Sequence, residues 1–227
     1  NIWAGYRRNR ADWLYGDQDL YERVKDNLSQ NSEVAYFAGC TASFVEQDIA
    51  KAAVTLLSEA GIEFQYLGTD EACCGIPMLV AGKWDIFEKV MRHNIEEMKR
   101  QGVKKVITSC PACWLVWSHY YKEFARKLGI EYDIEAKHYT EVLAEKIRSG
   151  ECAIPEFSES DITVTFHDSC HLGRAGGIYE PPRELIRAAG VKFVEMEHNR
   201  ENALCCGSVL TRVGEPRPTS NYLGGKR

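Results

Sequence analysis

Val34-Ala35-Tyr36-Phe37-Ala38-Gly39-Cys40 is a short apolar run that ends on a glycine and a thiol. Its length and its aromatic content suit a buried strand, with Cys40 placed where the chain leaves that strand. A helix is expected over about 43–60, stopped by Gly61. A second strand is expected over 62–67, followed by the loop that holds Cys73 and Cys74. A long helix over about 84–99 ends before Gly102, and a third strand over 103–108 runs into Cys110. Strands alternating with helices predict an α/β fold with a parallel sheet and crossover helices.

The pattern then restarts. Ile162-Thr163-Val164-Thr165-Phe166 reads as a strand leading to Cys170. Pro181-Pro182-Arg183-Glu184-Leu185-Ile186 opens a helix, since proline suits a first turn, and Gly190 closes it. A strand over 191–196 precedes the loop with Cys205 and Cys206. The halves are an internal repeat offset by about 130 residues. Residues 150–161, rich in Glu, Ser and Pro, read as the linker, and residues 1–30, with Trp3, Tyr6, Trp13, Tyr15 and Tyr21, as an arm over a core or a connector. The expected division is an N-terminal arm over 1–30, a first domain over 31–152 and a partial second domain over 153–227.

Composition bounds the function. A chain of 227 residues holds one large domain or two of roughly 100 each. A net charge of −5 offers no basic patch, which argues against nucleic acid as a partner. No apolar run is long enough to span a bilayer, and the opening residues lack a signal-peptide pattern. A cytoplasmic location is therefore expected, with any attachment to the inner face of the membrane made through a partner subunit. Nine cysteines are many for such a chain, and an odd count argues against a complete disulfide framework. Metal binding or redox work remains, with Cys152 as the spare.

The cysteines repeat in kind. Cys73-Cys74-Gly75 and Cys205-Cys206-Gly207 are preceded by the lone Cys40 and Cys170, with 32 and 34 residues between. The first pair is followed, after 35 residues, by Cys110-Pro111-Ala112-Cys113. Adjacent cysteines rarely bond to each other, because the small ring is strained. Open α/β sheets gather ligands at the carboxyl ends of their strands, so Cys40, Cys73, Cys74, Cys110 and Cys113 are expected in one crevice. Thiolates are the usual ligands of iron–sulfur clusters, and five exceed what a cubane needs. Zinc would take four, usually as two C-x-x-C knuckles, whereas here one knuckle meets one adjacent pair. A dithiol redox couple at Cys110 and Cys113 would leave three cysteines unexplained.

This spacing resembles the cysteine-rich CCG domain, which occurs twice in heterodisulfide reductase catalytic subunits and their relatives, over a stretch from about residue 33 to 207. Asn1-Ile2-Trp3 and Arg10-Ala11-Asp12-Trp13 resemble the segment that follows a ferredoxin domain in fused members. The resemblance implies two tandem Rossmann-like domains, the second apparently truncated, and an iron–sulfur oxidoreductase subunit that reduces a disulfide or protein-bound polysulfide. It implies a noncubane 4Fe-4S cluster on Cys40, Cys73, Cys74, Cys110 and Cys113. Cys170, Cys205 and Cys206 would be three ligands of a second such cluster, whose closing Cys-x-x-Cys the spacing puts near position 242, past Arg227. No C-x-x-C-x-x-C run is present, so a ferredoxin-type or flavoprotein subunit would bring electrons. A membrane cytochrome or quinone subunit, and a disulfide substrate or sulfur-carrier protein, are the other implied partners. The alternative is an electron-transfer subunit of a flavin-dependent glycolate, lactate or glycerol-3-phosphate dehydrogenase.

Other candidates cluster beside these thiols. His171, in His167-Asp168-Ser169-Cys170-His171, is the candidate catalytic residue, placed to hydrogen-bond a cluster sulfur or protonate a leaving thiolate. His167 is a weaker candidate, and both histidines also suit a capping role. His138 follows an apparent strand, with Thr140 placed to cap the next helix. Trp114 and Trp117 would shield the site from water or pack a helix on the sheet. Gly173-Arg174-Ala175-Gly176-Gly177 lacks nucleotide-binding spacing, and Arg174 is a candidate for an anionic substrate group.

Overall fold

The computed structural model describes residues 9–152 and 162–207, and positions 221, 222, 225 and 226. The expected linker and the opening aromatics Trp3 and Tyr6 fall largely or wholly outside the described residues. The chain divides into two compact units, Asn1–Cys152 and Ala153–Arg227.

The first unit is built on a parallel sheet of β1 (Val34–Phe37), β2 (Lys105–Thr108) and β3 (Glu135–His138), with β2 central. Three successive residues of β1 and three of β2 are buried, so both faces of the sheet are covered, as parallel sheets require. β3, with the sequence Glu-Ala-Lys-His, is a partly exposed edge. Two long helices provide much of the cover. α4 (Gln47–Glu59) buries Ala50, Ala53, Val54 and Leu57, and α6 (Trp84–Arg100) buries Phe87, Val90, Met91, Asn94, Ile95 and Met98. The three- and four-residue spacing puts each set on one helix face. Before β1, α1 (Asp12–Tyr15) and α2 (Gln18–Val24) bury Trp13, Leu14, Leu20 and Val24 in the same unit.

Several expectations are corrected. The strand expected over 62–67 forms single bridges, Ala35 to Gln65 and Leu28 to Phe64. Residue 65 spends its backbone groups on β1, through Tyr36 N–H to Gln65 O and Gln65 N–H to Val34 O. Residue 64 instead exchanges bonds with Asn27 and Ser29, so the ladder cannot lengthen along one neighbour. The helix expected over 43–60 begins earlier, as α3 (Gly39–Phe44), and breaks before α4. Both Val45 and Glu46 donate to Thr41 O, and Glu46 leaves the helical region at φ −115°, ψ 63°.

The second unit repeats the start of the first in miniature. β4 (Thr163–Val164) pairs in parallel with β5 (Lys192–Phe193) across α10 (Glu180–Ala188), and the Cys205-Cys206 loop follows. In the first unit β1 pairs in parallel with residue 65 across α3 and α4, and the Cys73-Cys74 loop follows.

Candidate metal centre

Cys40 lies in the first turn of α3, just past β1, and Cys110 starts α7 (Pro111–Leu115), just past β2. Both therefore stand at carboxyl ends of neighbouring parallel strands. Cys73 and Cys74 arrive on the loop before α5 (Ile76–Val80). The thiols meet as a continuous chain of side-chain hydrogen bonds: Cys40 with Cys73, Cys73 with Cys74, Cys74 with Cys113, and Cys113 with Cys110. Three segments far apart in sequence thus bring five sulfurs together. Cys74 and Cys113 are buried, and the other three are half-buried.

The surrounding backbone is shaped to bring the sulfurs in. Gly39 has φ +73°, and a Cβ there would sit 2.8 Å from Cys113 Sγ. Gly75 has φ +89°, and its N–H donates to Cys73 Sγ at 3.4 Å. Only glycine adopts that backbone without strain. The Cys73-Cys74 loop is clasped from α6 and α8 (Tyr121–Leu128). Asn94 accepts Ala72 N–H at 3.1 Å and donates to Cys73 O at 3.0 Å and Tyr121 Oη at 2.9 Å, while Tyr121 donates to Cys74 O at 2.9 Å. Neither residue stands out in the sequence. An Asn within an amphipathic helix and a Tyr a short way past Trp114 and Trp117 carry no motif, and both are recognised only by the carbonyls they reach.

The edge of the sheet holds the Cys110 turn. His138 is buried, with Nε2 3.2 Å from Ser109 O and Nδ1 2.8 Å from Thr140 Oγ1. A carbonyl only accepts, so Nε2 carries the proton and Nδ1 accepts from the Thr140 hydroxyl. Burial pushes the imidazole pKa down to about 4, which keeps it neutral. Thr140 therefore buttresses His138 rather than capping the helix. Glu141 instead takes the His138 N–H at 2.8 Å at the start of α9 (Tyr139–Arg148).

The thiols share their protons unevenly. Hydrogen bonds from Cys113 and Cys73 pull the Cys74 pKa down to about 6. Cys73 is drawn down by Cys40, yet its bond to Cys74 and its burial leave it raised, at about 12. Cys40 is raised by its bond to Cys73 and by burial, and Cys113 by its bonds to Cys110 and Cys74. Five thiolates packed this closely would repel one another without a cation among them.

A sulfur-only donor set of five fits a multi-iron cluster better than one ion. Among the described residues no three His, Cys, Asp or Glu side chains are grouped so that they could hold a metal ion. The contacts run pairwise along the chain of thiols. Trp117 is fully buried in the same apolar cluster as Cys74 and Cys113, and its indole N–H has no acceptor among the described residues. It lies in a turn of wider π-helix, Val116–Tyr120, between α7 and α8, with Phe37 at 5.4 Å and Tyr121 at 4.8 Å. That placement packs Trp117 in the apolar cluster beside Cys74 and Cys113.

In the second unit burial, with Cys205 and Cys206 close by, raises the Cys170 pKa. Gly207, at φ +75°, returns its N–H to Cys205 Sγ at 3.3 Å, as Gly75 does to Cys73. His167 Nε2 bonds Leu204 O at 2.8 Å, which ties the two cysteine loops together. Arg174 Nη1 bonds Ala203 O at 2.6 Å and Glu201 O at 3.2 Å, so it braces the loop. His171 is half-buried, and burial lowers its pKa. Ser208 and the residues after it up to 220 lie outside the described residues.

Among the described residues no helix is long and apolar enough to cross a membrane. The family model of the cysteine-rich domain matches residues 34–116 and 164–227. The chain is 37% identical to a subunit of the dihydromethanophenazine:CoB–CoM heterodisulfide reductase of Methanosarcina acetivorans, over 89% of this chain and 47% of that protein. It is 34% identical to the EtfAB:quinone oxidoreductase of Syntrophomonas wolfei, over 91% of this chain and 28% of that protein. It is also 34% identical to a probable iron–sulfur-binding oxidoreductase, FadF, of Bacillus subtilis, over 92% of this chain and 29% of that protein. The chain spans about half or less of the length of these relatives. On the two matched stretches and the cysteine loops they contain, the chain belongs to the cysteine-rich CCG domain family.

Proposed function

We propose that this chain is the thiolate-rich part of an iron–sulfur oxidoreductase that reduces a disulfide or protein-bound polysulfide. The observation that carries the reading is the joining of Cys40, Cys73, Cys74, Cys113 and Cys110 into one contiguous group of sulfurs at adjacent strand ends. These five would hold a noncubane 4Fe-4S cluster, and Cys170, Cys205 and Cys206 would supply part of a second site. Such a cluster supplies single electrons at a buried sulfur-rich surface. The chain's own residues do the rest. Gly39 leaves room for the Cys113 sulfur, Gly75 donates its N–H to the Cys73 sulfur, Asn94 and Tyr121 hold the Cys-Cys loop, and Trp117 with Phe37 walls off water. Reducing a disulfide breaks one S–S bond and consumes two electrons and two protons. A ferredoxin-type or flavoprotein subunit would bring the electrons. His171, beside Cys170, would deliver protons as the catalytic acid. Domain limits of 31–152 and 153–227 are proposed for the two repeats, and any attachment to a membrane cytochrome or quinone subunit would be through partners.

A second reading is favoured by the equally broad match to the EtfAB:quinone oxidoreductase: an electron-transfer subunit between a flavoprotein and quinone. Anaerobic protein analysed for iron, acid-labile sulfide and zinc tests the common core. About four iron and little zinc are expected for the first site, falling to background in Cys73→Ala. Colourless protein with one zinc would overturn both readings. A paramagnetic signal that appears only with substrate thiol under oxidising conditions separates disulfide chemistry from simple electron transfer.

A further inference from the structure

A second feature stands beside the five thiols, and it comes from the segment before the matched stretches. Arg10 is 3% exposed, and its guanidinium forks between an acid and a thiol. Nη1 lies 2.7 Å from Glu71 Oε1 and 3.5 Å from Ser43 Oγ, while Nη2 donates to Cys40 Sγ at 3.5 Å. Its backbone is pinned by Tyr66 Oη, which donates to Arg10 O at 3.0 Å and accepts from Trp13 Nε1 at 3.1 Å. The Phe44 ring lies 5.0 Å from the guanidinium carbon. Glu71, also buried, accepts Ala38 N–H at 3.0 Å and Gly39 N–H at 2.9 Å. Three donors, the Arg10 guanidinium and the Ala38 and Gly39 amides, therefore surround this carboxyl, while burial pushes its pKa up.

The arrangement is costly for a purely structural purpose. Buried ion pairs seldom repay their desolvation, and Arg10 Nε is buried with no partner among the described residues. The cost secures a fixed cation with an N–H on a thiol of the group. Hydrogen bonds to ligand sulfurs and local charge are what set a cluster's reduction potential.

We propose that Arg10, held by Glu71, is a positioning residue of the first site, whose guanidinium donates to the Cys40 sulfur and raises the potential at which the site accepts an electron. This rests on the cluster reading above. Taking up an electron adds one negative charge, which Arg10 favours and Glu71 opposes. Removing Arg10 lowers the potential through both lost charge and lost hydrogen bond.

The test is an anaerobic redox titration of the full chain, followed by its paramagnetic signal, with iron and sulfide measured for every variant. Arg10→Gln is expected to keep its iron and cut the reduced-to-oxidised ratio about tenfold at the wild-type midpoint, ~59 mV for one electron. Glu71→Gln is expected to move the ratio the other way, and Arg10→Lys, which keeps the charge but loses the fork, to fall between wild type and Arg10→Gln. An unchanged midpoint in Arg10→Gln, or shifts of the same sign in Arg10→Gln and Glu71→Gln, overturns the proposal. If Arg10→Gln holds no iron, Glu71→Gln alone decides, and an unchanged or lowered ratio overturns it. Loss of iron from all three variants marks a folding role and also overturns it. A wild-type chain without iron overturns the cluster reading itself, whereas iron-loaded wild type with unmoved variants overturns only the role of Arg10.

Discussion

Gly39 is where one missing atom decides the site. A Cβ there would come within 2.8 Å of Cys113 Sγ, at a φ of +73° that side chains rarely adopt. Gly39→Ala is expected to cost about 1–3 kcal/mol and to lower iron content, read by thermal unfolding and metal analysis. His138 offers a pH test. Its folded pKa, about 4, lies below the ordinary value of 6.5, so the unfolded chain binds the proton first as pH falls. Stability is expected to drop between about pH 6.5 and 4, by at most about 3 kcal/mol, and His138→Gln should remove that slope in denaturant unfolding. The sequence marks His138 as a strand-end residue, but its bond to Ser109 O depends on β3 lying in register beside β2.

At the scale of elements, α6 does more than cover the sheet. Its buried face is apolar except for Asn94, which spends its amide on the Cys73-Cys74 loop. Asn94→Ala leaves Ala72 N–H and Cys73 O without this partner, at about 1–3 kcal/mol for each buried group. Faster alkylation of Cys73 in iron-free protein is expected, and an unchanged rate would show that the loop holds itself. The helix is legible from its periodicity. Its role is not, because a side chain's partner across the fold leaves no local pattern. The same limit explains the strand expected over 62–67. Its apolar run does mark buried chain, while the division of its hydrogen bonds between two neighbours is set by the chain around it.

Across the molecule, each unit staples its lone-cysteine turn to its Cys-Cys loop with a buried carboxylate and an arginine. In the first unit Glu71, two residues before Cys73, reaches the amides before Cys40 and is paired by Arg10. In the second the carboxylate sits on the opposite partner: Asp168, two residues before Cys170, accepts Arg200 N–H at 2.7 Å and both Arg183 nitrogens at 2.7 Å. Arg183 also meets Glu195 at 2.6 Å. Arg183→Ala strands a buried carboxylate and is expected to destabilise the second unit by about 3–5 kcal/mol. Calorimetry should show one transition fall while that of the first unit stays, and a joint fall would mean that the units unfold together.

The alternation of apolar runs, glycines and thiols was enough to establish a repeated α/β chain with cysteines at strand ends, because strand burial and helix periodicity are local properties of neighbouring residues. The spacing of the thiols likewise named the five that meet. Which groups hold them is another matter. Arg10, Glu71, Asn94 and Tyr121 act across about 20 to 60 residues of chain, and only folding brings such distant side chains within hydrogen-bond reach.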